Sequence, residues 1–240
     1  MSAKTPRALF QEFMAAVSAD SAISDQLRTW ERARREWRLQ WAGREATPAE
    51  VLFDRLTPRS NSGAAGGWAH PVVNEAPELD SWRTVWQSAA GAEQRELATA
   101  FVNALALTET QAASSSHAFA ELARSAATPG GLPLVVMTPA FSSLDPERFV
   151  VMCDAWLATL GRCAGASVRS DVASYPEMNA LALNWFAEAE GDAIAPALAG
   201  SPRADRFGVF CSWVGRTTAQ AGPARFDVTQ KKYKDWPPMW

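Results

Sequence analysis

Lysine is the residue that the sequence most clearly lacks. The 240 residues include four lysines and 19 arginines, and no lysine lies between Thr5 and Gln230. A lysine amine can attack a sugar carbon or a carbonyl and form a Schiff base. Arginine cannot take over that role, because its guanidinium group stays protonated. The interior of the chain therefore offers no residue for Schiff-base chemistry.

Patterns that bind metals or nucleotides are also absent. The two histidines, His70 and His117, and the three cysteines fit none of the spacings CxxC, HxxxH or HxE, so we expect neither a zinc site nor an iron–sulfur cluster. The sequence has no G-x-G-x-x-G, no phosphate-binding loop with its lysine and no G-x-S-x-G. We expect no cofactor, no metal and neither nucleotide-driven nor serine-hydrolase chemistry.

Features that would place the chain in or across a membrane are missing too. No window approaches the roughly 18 apolar residues of a membrane span. Residues 1–10 contain Lys4 and Arg7 but no apolar stretch, so we expect no signal peptide. The three cysteines, an odd number, lie in apolar surroundings, which disfavours disulfides and favours a reducing compartment. We expect a cytoplasmic protein without a membrane partner.

The patterns that are present predict a helical protein. Strand signals are weak throughout, whereas apolar residues recur at helical spacing, so the predicted fold class is all-α, with a few short strands at most. A hydrophobic fraction of 48% is typical of a globular chain. We predict one domain over residues 1–240, or alternatively two lobes of about 1–127 and 128–216 with a tail from 217 to 240. The first predicted helix begins at Pro6, and the others span 24–42, 48–56, 79–89, 93–107, 115–127, 132–144, 154–160, 175–190 and 201–216, while residues 57–78 form a long loop. Capping boxes predict Thr47 and Ser174 as the N-caps of the helices 48–56 and 175–190.

The segment from Thr128 to Leu160 is the most informative part of the chain. It contains a Pro-Gly-Gly break, a helix, an Asp-Pro turn and the apolar run Phe149–Cys153, followed by Asp154 at a helix start. The apolar run is either a buried extended piece or a buried helix. A helix N-terminus favours the anionic form of an acid, so Asp154 is a candidate functional carboxylate. The alternative is that Asp154 is an ordinary N-cap.

This segment resembles the helix-hairpin-helix DNA glycosylases, in particular the 8-oxoguanine glycosylase-like branch. In that family an apolar stretch precedes a catalytic aspartate, as Phe149–Cys153 precedes Asp154 here, and the run Ser143–Arg148 resembles the N-P-E-R-F run of bacterial members. Residues 175–180 and 207–213 are similar to segments of helical domains found beside methylcytosine-type restriction ATPases. Residues 1–127 match no motif. The resemblance implies a helix-hairpin-helix glycosylase-like fold.

The resemblance also implies a site. Asp154 would be the catalytic anion, which stabilises positive charge on the sugar and aligns a water. The partner would be double-stranded DNA with one base flipped out of the stack, received by a base pocket that includes Phe141 and Trp156. Backbone N–H groups at Gly130 and Gly131 would hold a phosphate. The further DNA-binding residues are Lys231, Lys232 and Lys234 of the C-terminal stretch, for which the alternative is a flexible, solvated terminus.

Two departures from the family shape the functional prediction. The hairpin is Gly130–Pro133 without a following cation, and the lysine that cleaves the strand in some members has no counterpart. The pattern predicts a monofunctional glycosylase without lyase activity, which excises a damaged or modified base, such as a hypermodified phage cytosine, and leaves an abasic site. The alternatives are a non-catalytic DNA-binding or adaptor module of a restriction or phage-defence system, and a protein-interaction subunit of a defence system.

Charge and tryptophan content leave alternatives open. The net charge of −3 counts against an obligate nucleic-acid binder, although local patches decide binding. Six arginines near the second helix alternate with Glu31 and Glu36, so that region either contacts DNA or is a solvated face. Of the 11 tryptophans, several lie at helical spacing and are expected in the core. These are Trp82, Trp86, Trp185 and Trp213.

Overall fold

The computed structural model describes residues 6–19, 21–58, 76–110, 115–125, 131–190 and 198–221. Within these ranges the chain forms ten α-helices and no β-strand, which confirms the all-α fold class. The helices are α1 Pro6–Ala19, α2 Ser21–Ala42, α3 Ala49–Leu56, α4 Pro77–Ser88, α5 Gly91–Thr110, α6 Ser115–Ser125, α7 Leu134–Leu144, α8 Asp154–Ala164, α9 Tyr175–Glu190 and α10 Arg203–Ala221.

Most predicted helices exist, and their ends differ by a few residues. The last one continues to Ala221, so the tail predicted from 217 was placed too early. The apolar run Phe149–Cys153 is buried and lies outside any helix, with an extended backbone at Cys153, so the buried helix of the two alternatives is wrong. Most of the predicted loop 57–78 lies outside the described residues, and α4 already begins at Pro77.

Two predicted helix caps are wrong. Pro48, and not Thr47, is the N-cap of α3, and the Thr47 hydroxyl donates instead to the Gly43 carbonyl at 3.0 Å. Ser174 lies in a short 3₁₀ turn before α9, where its hydroxyl donates to the Asp171 carbonyl at 2.8 Å. Serine and threonine hydroxyls have several nearby backbone groups to bond, so a capping pattern in the sequence does not fix which one is chosen.

One apolar cluster runs through the molecule. It extends from Leu9 to Val214 and includes buried side chains from all ten helices. On α2, Trp30, Trp37 and Trp41 share the buried face, as their spacing predicts. Helices on either side of residue 127 pack against one another, with α7 against α2 and α5, and α9 against α1 and α6. Among the described residues, no helix combines the length and the apolar character needed to cross a membrane.

Gly208 allows α10 to approach α2 and α8 closely. A Cβ atom at this position would lie 2.3 Å from Cη2 of Trp30 and 2.7 Å from Cη2 of Trp156. Both distances are far below van der Waals contact, so a side chain here would force the two indole rings to move. The rings of Trp30 and Trp156 themselves pack with centroids 5.9 Å apart.

Candidate active site

Asp154 is the first residue of α8. The N-cap is Cys153, whose backbone is extended, and the amides of Trp156 and Leu157 donate to the Cys153 carbonyl at 3.0 and 2.9 Å. Asp154 is therefore not an N-cap, which removes the alternative reading of this residue. Its side chain is exposed and opens into a cavity.

Side chains from two helices hold the extended run that leads to Asp154. On α9, Asn179 accepts from the Val150 amide at 2.8 Å, and the Tyr175 hydroxyl donates to the Val150 carbonyl at 2.8 Å. On α7, the Thr138 hydroxyl accepts from the Met152 amide at 2.9 Å. Among the residues that the structure describes, this buried segment has no strand partner, so these side chains satisfy its polar groups. They also fix the direction in which the chain enters α8.

The cavity has a volume of about 550 Å³. That size falls in the range of roughly 300–1,000 Å³ that is typical of small-molecule sites. Among the described residues its lining contains three acids and no arginine, lysine or histidine. The lining residues are Glu78, Ala123, Gly131, Leu132, Pro133, Leu134, Val135, Cys153, Asp154, Ser170, Asp171, Val172 and Ala173.

Glu78 connects α4 to the first turn of α8. Its Oε1 atom accepts a hydrogen bond from the Asp154 backbone N–H at 3.1 Å, across 76 residues of sequence. Although Asp154 is exposed, its carboxyl group is partly buried by the cavity walls; this partial burial raises its pKa above the usual value, and the negative charge of Glu78 raises it further. We had expected the helix N-terminus to favour the anion. Burial and a like charge act in the opposite direction.

The third acid of the cavity is Asp171. It is the N-cap of the 3₁₀ turn Val172–Ser174, and its Oδ1 atom accepts from the Ser174 amide at 2.9 Å. The fold thus brings carboxylates from three separate segments to one cavity. Burial also raises the pKa of the Cys153 thiol to about 12, so this lining residue stays protonated.

The predicted hairpin lies at the same cavity. Gly131 lines it and has φ of 62°, a left-handed backbone that favours glycine. Gly130 lies outside the described residues, as do Lys231, Lys232 and Lys234. The structure therefore brings Gly131 and Asp154 together. The described surroundings of the pair are acidic, whereas a phosphate site would favour cations.

The two residues assigned to the base pocket lie elsewhere. Phe141 is fully buried and packs against Phe101, Phe119 and Phe149. Trp156 is 5% exposed and packs on Trp30. Neither lines the cavity, because the helical period turns both side chains toward the core. The base-pocket assignment of Phe141 and Trp156 is corrected accordingly.

A second cavity of about 590 Å³ lies between α2 and the start of α10, and we call it the arginine groove. Arg28, Arg34, Arg35 and Arg38 line it together with Glu31 and Asp205. Each of these four arginines has a partner. Arg28 pairs with Asp25, Arg35 with Glu31, and the buried Arg34 with Asp205, while Arg38 Nε donates to the Ser143 carbonyl at 3.1 Å.

Sequence reasoning missed Glu78 and Asp171. Glu78 follows a proline in the first turn of α4. An acid at this position ordinarily interacts favourably with the dipole of its own helix and has no other role. Asp171 precedes a 3₁₀ turn, which no hydrophobic periodicity in the sequence predicts. The described residues also contain no group of three or more His, Cys, Asp or Glu side chains arranged to hold a metal ion.

Comparison of the chain with protein-family models, with curated proteins and with solved structures gives no match. The functional proposal therefore rests on the chemistry of the cavity and on the sequence resemblance described above.

Proposed function

We propose that the chain is a monofunctional DNA glycosylase, which releases a damaged or modified base and leaves an abasic site. The observation that carries the proposal is Asp154. This carboxyl group stands at the start of α8, in a cavity large enough for a nucleobase, with its pKa raised and no cation among the described lining residues. A perturbed acid in a cleft is typical of a reacting group.

The chemistry needs one carboxylate and one water. The bond between the sugar C1′ and the base nitrogen breaks, and its electron pair leaves with the base. The Asp154 carboxylate stabilises the positive charge that develops on the sugar. A water oxygen then forms the new bond to C1′ while its proton passes to Asp154. Asp154 then returns that proton to solvent and the departed base anion takes one from solvent, so the products are a neutral free base, an intact abasic strand and the regenerated Asp154 carboxylate.

Strand cleavage is not part of the proposal, because the described cavity lining contains no lysine. Without an amine near C1′ no Schiff base forms. We therefore expect borohydride to trap no covalent adduct of protein and DNA, and we expect breaks only after alkali. An adduct trapped with freshly purified protein would contradict this part of the proposal.

The test is incubation of the protein with duplexes that carry different modified bases, among them substituted cytosines, followed by detection of abasic sites. Base release by the unaltered chain and its loss in Asp154→Asn would support the proposal. The matched control is Glu93→Gln, an exposed acid in the first turn of α5 that lines no described cavity. Base release that survives in Asp154→Asn would overturn the assignment.

A second candidate is a non-catalytic DNA-binding or adaptor module, and the arginine groove favours it. Phosphate contacts by arginine are salt-dependent, with a slope of about 0.9 for each phosphate neutralised. If this candidate is right, Arg38→Gln lowers affinity for all DNA sequences and flattens the salt dependence. Asp154→Asn then leaves binding unchanged, and no duplex yields abasic sites. The same measurement on Lys231, Lys232 and Lys234 replaced by glutamine tests the C-terminal stretch.

A further inference from the structure

Glu78 and Asp154 form a contact between two helices, α4 and α8, that are far apart in sequence. Glu78 lies in the first turn of α4, next to Leu79, which is fully buried and anchors that turn in the core. Its Oε1 atom accepts from the backbone N–H of Asp154 at 3.1 Å. The first amides of a helix have no partner within the helix and bond to a side chain or to water instead. Here Glu78 supplies the acceptor from another helix.

The same contact holds two acids at one cavity. Glu78 and Asp154 both line it, and the other ionisable groups that line it are Asp171, before the 3₁₀ turn, and the protonated thiol of Cys153. From α6 and α7 only uncharged residues reach the described lining. Every charge that faces Asp154 across the described lining is therefore negative. Of these charged groups, Glu78 is the one that is hydrogen-bonded to the backbone N–H of Asp154.

We propose that Glu78 is a positioning residue for Asp154: its carboxylate closes the first turn of α8 and keeps a second negative charge beside the Asp154 carboxyl group. This inference rests on the proposed function in that Asp154 is taken as the reacting carboxylate. The arrangement makes Asp154 a stronger base than an isolated aspartate, because protonation relieves the repulsion from Glu78. A more basic carboxylate takes a proton from water more readily in the hydrolytic step.

Two substitutions separate the charge of Glu78 from its hydrogen bond. Glu78→Gln keeps an oxygen that can accept from the Asp154 amide but removes the charge. Glu78→Ala removes both the charge and the acceptor. Glu93→Gln serves again as the control, since it removes one exposed carboxylate from the first turn of a different helix. All three variants are made in the full chain.

The first measurement does not depend on activity. The titration of the Asp154 carboxyl carbon is followed by NMR, with its signal assigned by its absence in Asp154→Asn. We expect Glu78→Gln and Glu78→Ala to move the midpoint to lower pH and Glu93→Gln to leave it in place. We expect Glu78→Ala alone to lower the melting temperature clearly. An unmoved midpoint in Glu78→Gln would overturn the proposal, whatever the activity of the protein.

The second measurement uses base release from a duplex on which the unaltered protein is active. In Glu78→Gln the acid limb of the kcat profile should shift to lower pH, and kcat near neutral pH should fall by about two- to fivefold because Asp154 is less basic. A purely structural role would lower the folded fraction without moving the limb, and that outcome would overturn the proposal. If no duplex loses a base but the NMR midpoint still moves, the proposed function fails and the assignment of Glu78 stands.

Discussion

Asp154 and Asp205 are two acids at the beginnings of helices, and their surroundings differ in the sign of the nearest charge. Asp205, in the first turn of α10, is buried and pairs with Arg34 of α2. Asp154, at the start of α8, faces Glu78 and Asp171 across an open cavity. Burial raises the pKa of both carboxyl groups. At Asp205 the charge of Arg34 opposes that shift, whereas at Asp154 the charge of Glu78 adds to it.

The difference is the one expected between an acid that stabilises the fold and an acid that acts on a ligand. A buried acid with its own cation joins two elements, here α2 and α10, and has little left to offer a ligand. An acid placed beside other acids lowers the stability of the fold, because ionisation is disfavoured there. Such an arrangement is typical of a site whose charge acts on a substrate. Asp205 thus joins α2 to α10, whereas Asp154 is the reacting acid of the proposed function.

The largest difference that we expect between Asp154 and Asp205 is in the rate of base release. Asp154→Asn should lower the rate of base release by about 10²- to 10⁴-fold, the usual contribution of a positioned acid or base. Asp205→Asn should leave the rate per folded molecule nearly unchanged, because Asp205 lines the arginine groove and not the cavity of Asp154. The rates are measured as abasic sites formed in single turnover. Equal losses in both variants would contradict the division of roles.

For the free energy of unfolding we expect the opposite: here Asp205 is the important acid. Asp205→Asn leaves the buried guanidinium group of Arg34 without its carboxylate, which should cost about 3–5 kcal/mol in the free energy of unfolding. The control is Asp25→Asn, which removes the partner of Arg28 from an exposed pair on α2, the helix that also carries Arg34. This change should cost less than about 1 kcal/mol. Urea unfolding followed by circular dichroism measures both. Similar costs for the two variants would show that burial of the Arg34 pair is unimportant.

The packing of α10, which carries Asp205, against α2 and against α8, which carries Asp154, can be tested at Gly208. Gly208→Ala should lower the free energy of unfolding by about 1–3 kcal/mol, because its methyl group overlaps the rings of Trp30 and Trp156. Gly215→Ala on the same helix meets nothing within 4 Å and should stabilise by about 0.5–1 kcal/mol through helix propensity. Thermal unfolding gives both values. A neutral Gly208→Ala would mean that α10 can move away from α2 and α8 at little cost.

The smallest expected effect is the pH dependence of stability at Asp154. Because its folded pKa is raised, the folded state holds its proton more tightly than the unfolded chain does. The resulting stabilisation is present at low pH and is lost as pH rises through the folded pKa. The melting temperature of Asp154→Asn relative to the unaltered chain should therefore increase from about pH 3.5 to pH 7, across the usual aspartate pKa. A difference that decreases over this range would contradict the raised pKa.

Local sequence patterns were enough to predict the helical fold and part of the candidate site. Residues such as Trp30, Trp37 and Trp41 repeat at helical spacing, and that period depends only on neighbours in sequence. The start of a helix at Asp154 was likewise visible as the end of an apolar run. The caps at Thr47 and Ser174 were predicted wrongly, because a hydroxyl group chooses among several backbone partners only a few residues away.

The sequence by itself determined the helical class, the missing interior lysine and the position of Asp154 at a helix start. The tertiary structure alone decided which charge each acid faces. Glu78 reaches Asp154 across 76 residues, and Arg34 reaches Asp205 across 171. It also decided that Phe141 and Trp156 lie in the core. Periodicity and capping depend on neighbours along the chain, whereas the electrostatics of a carboxyl group depend on charges within a few ångströms in space.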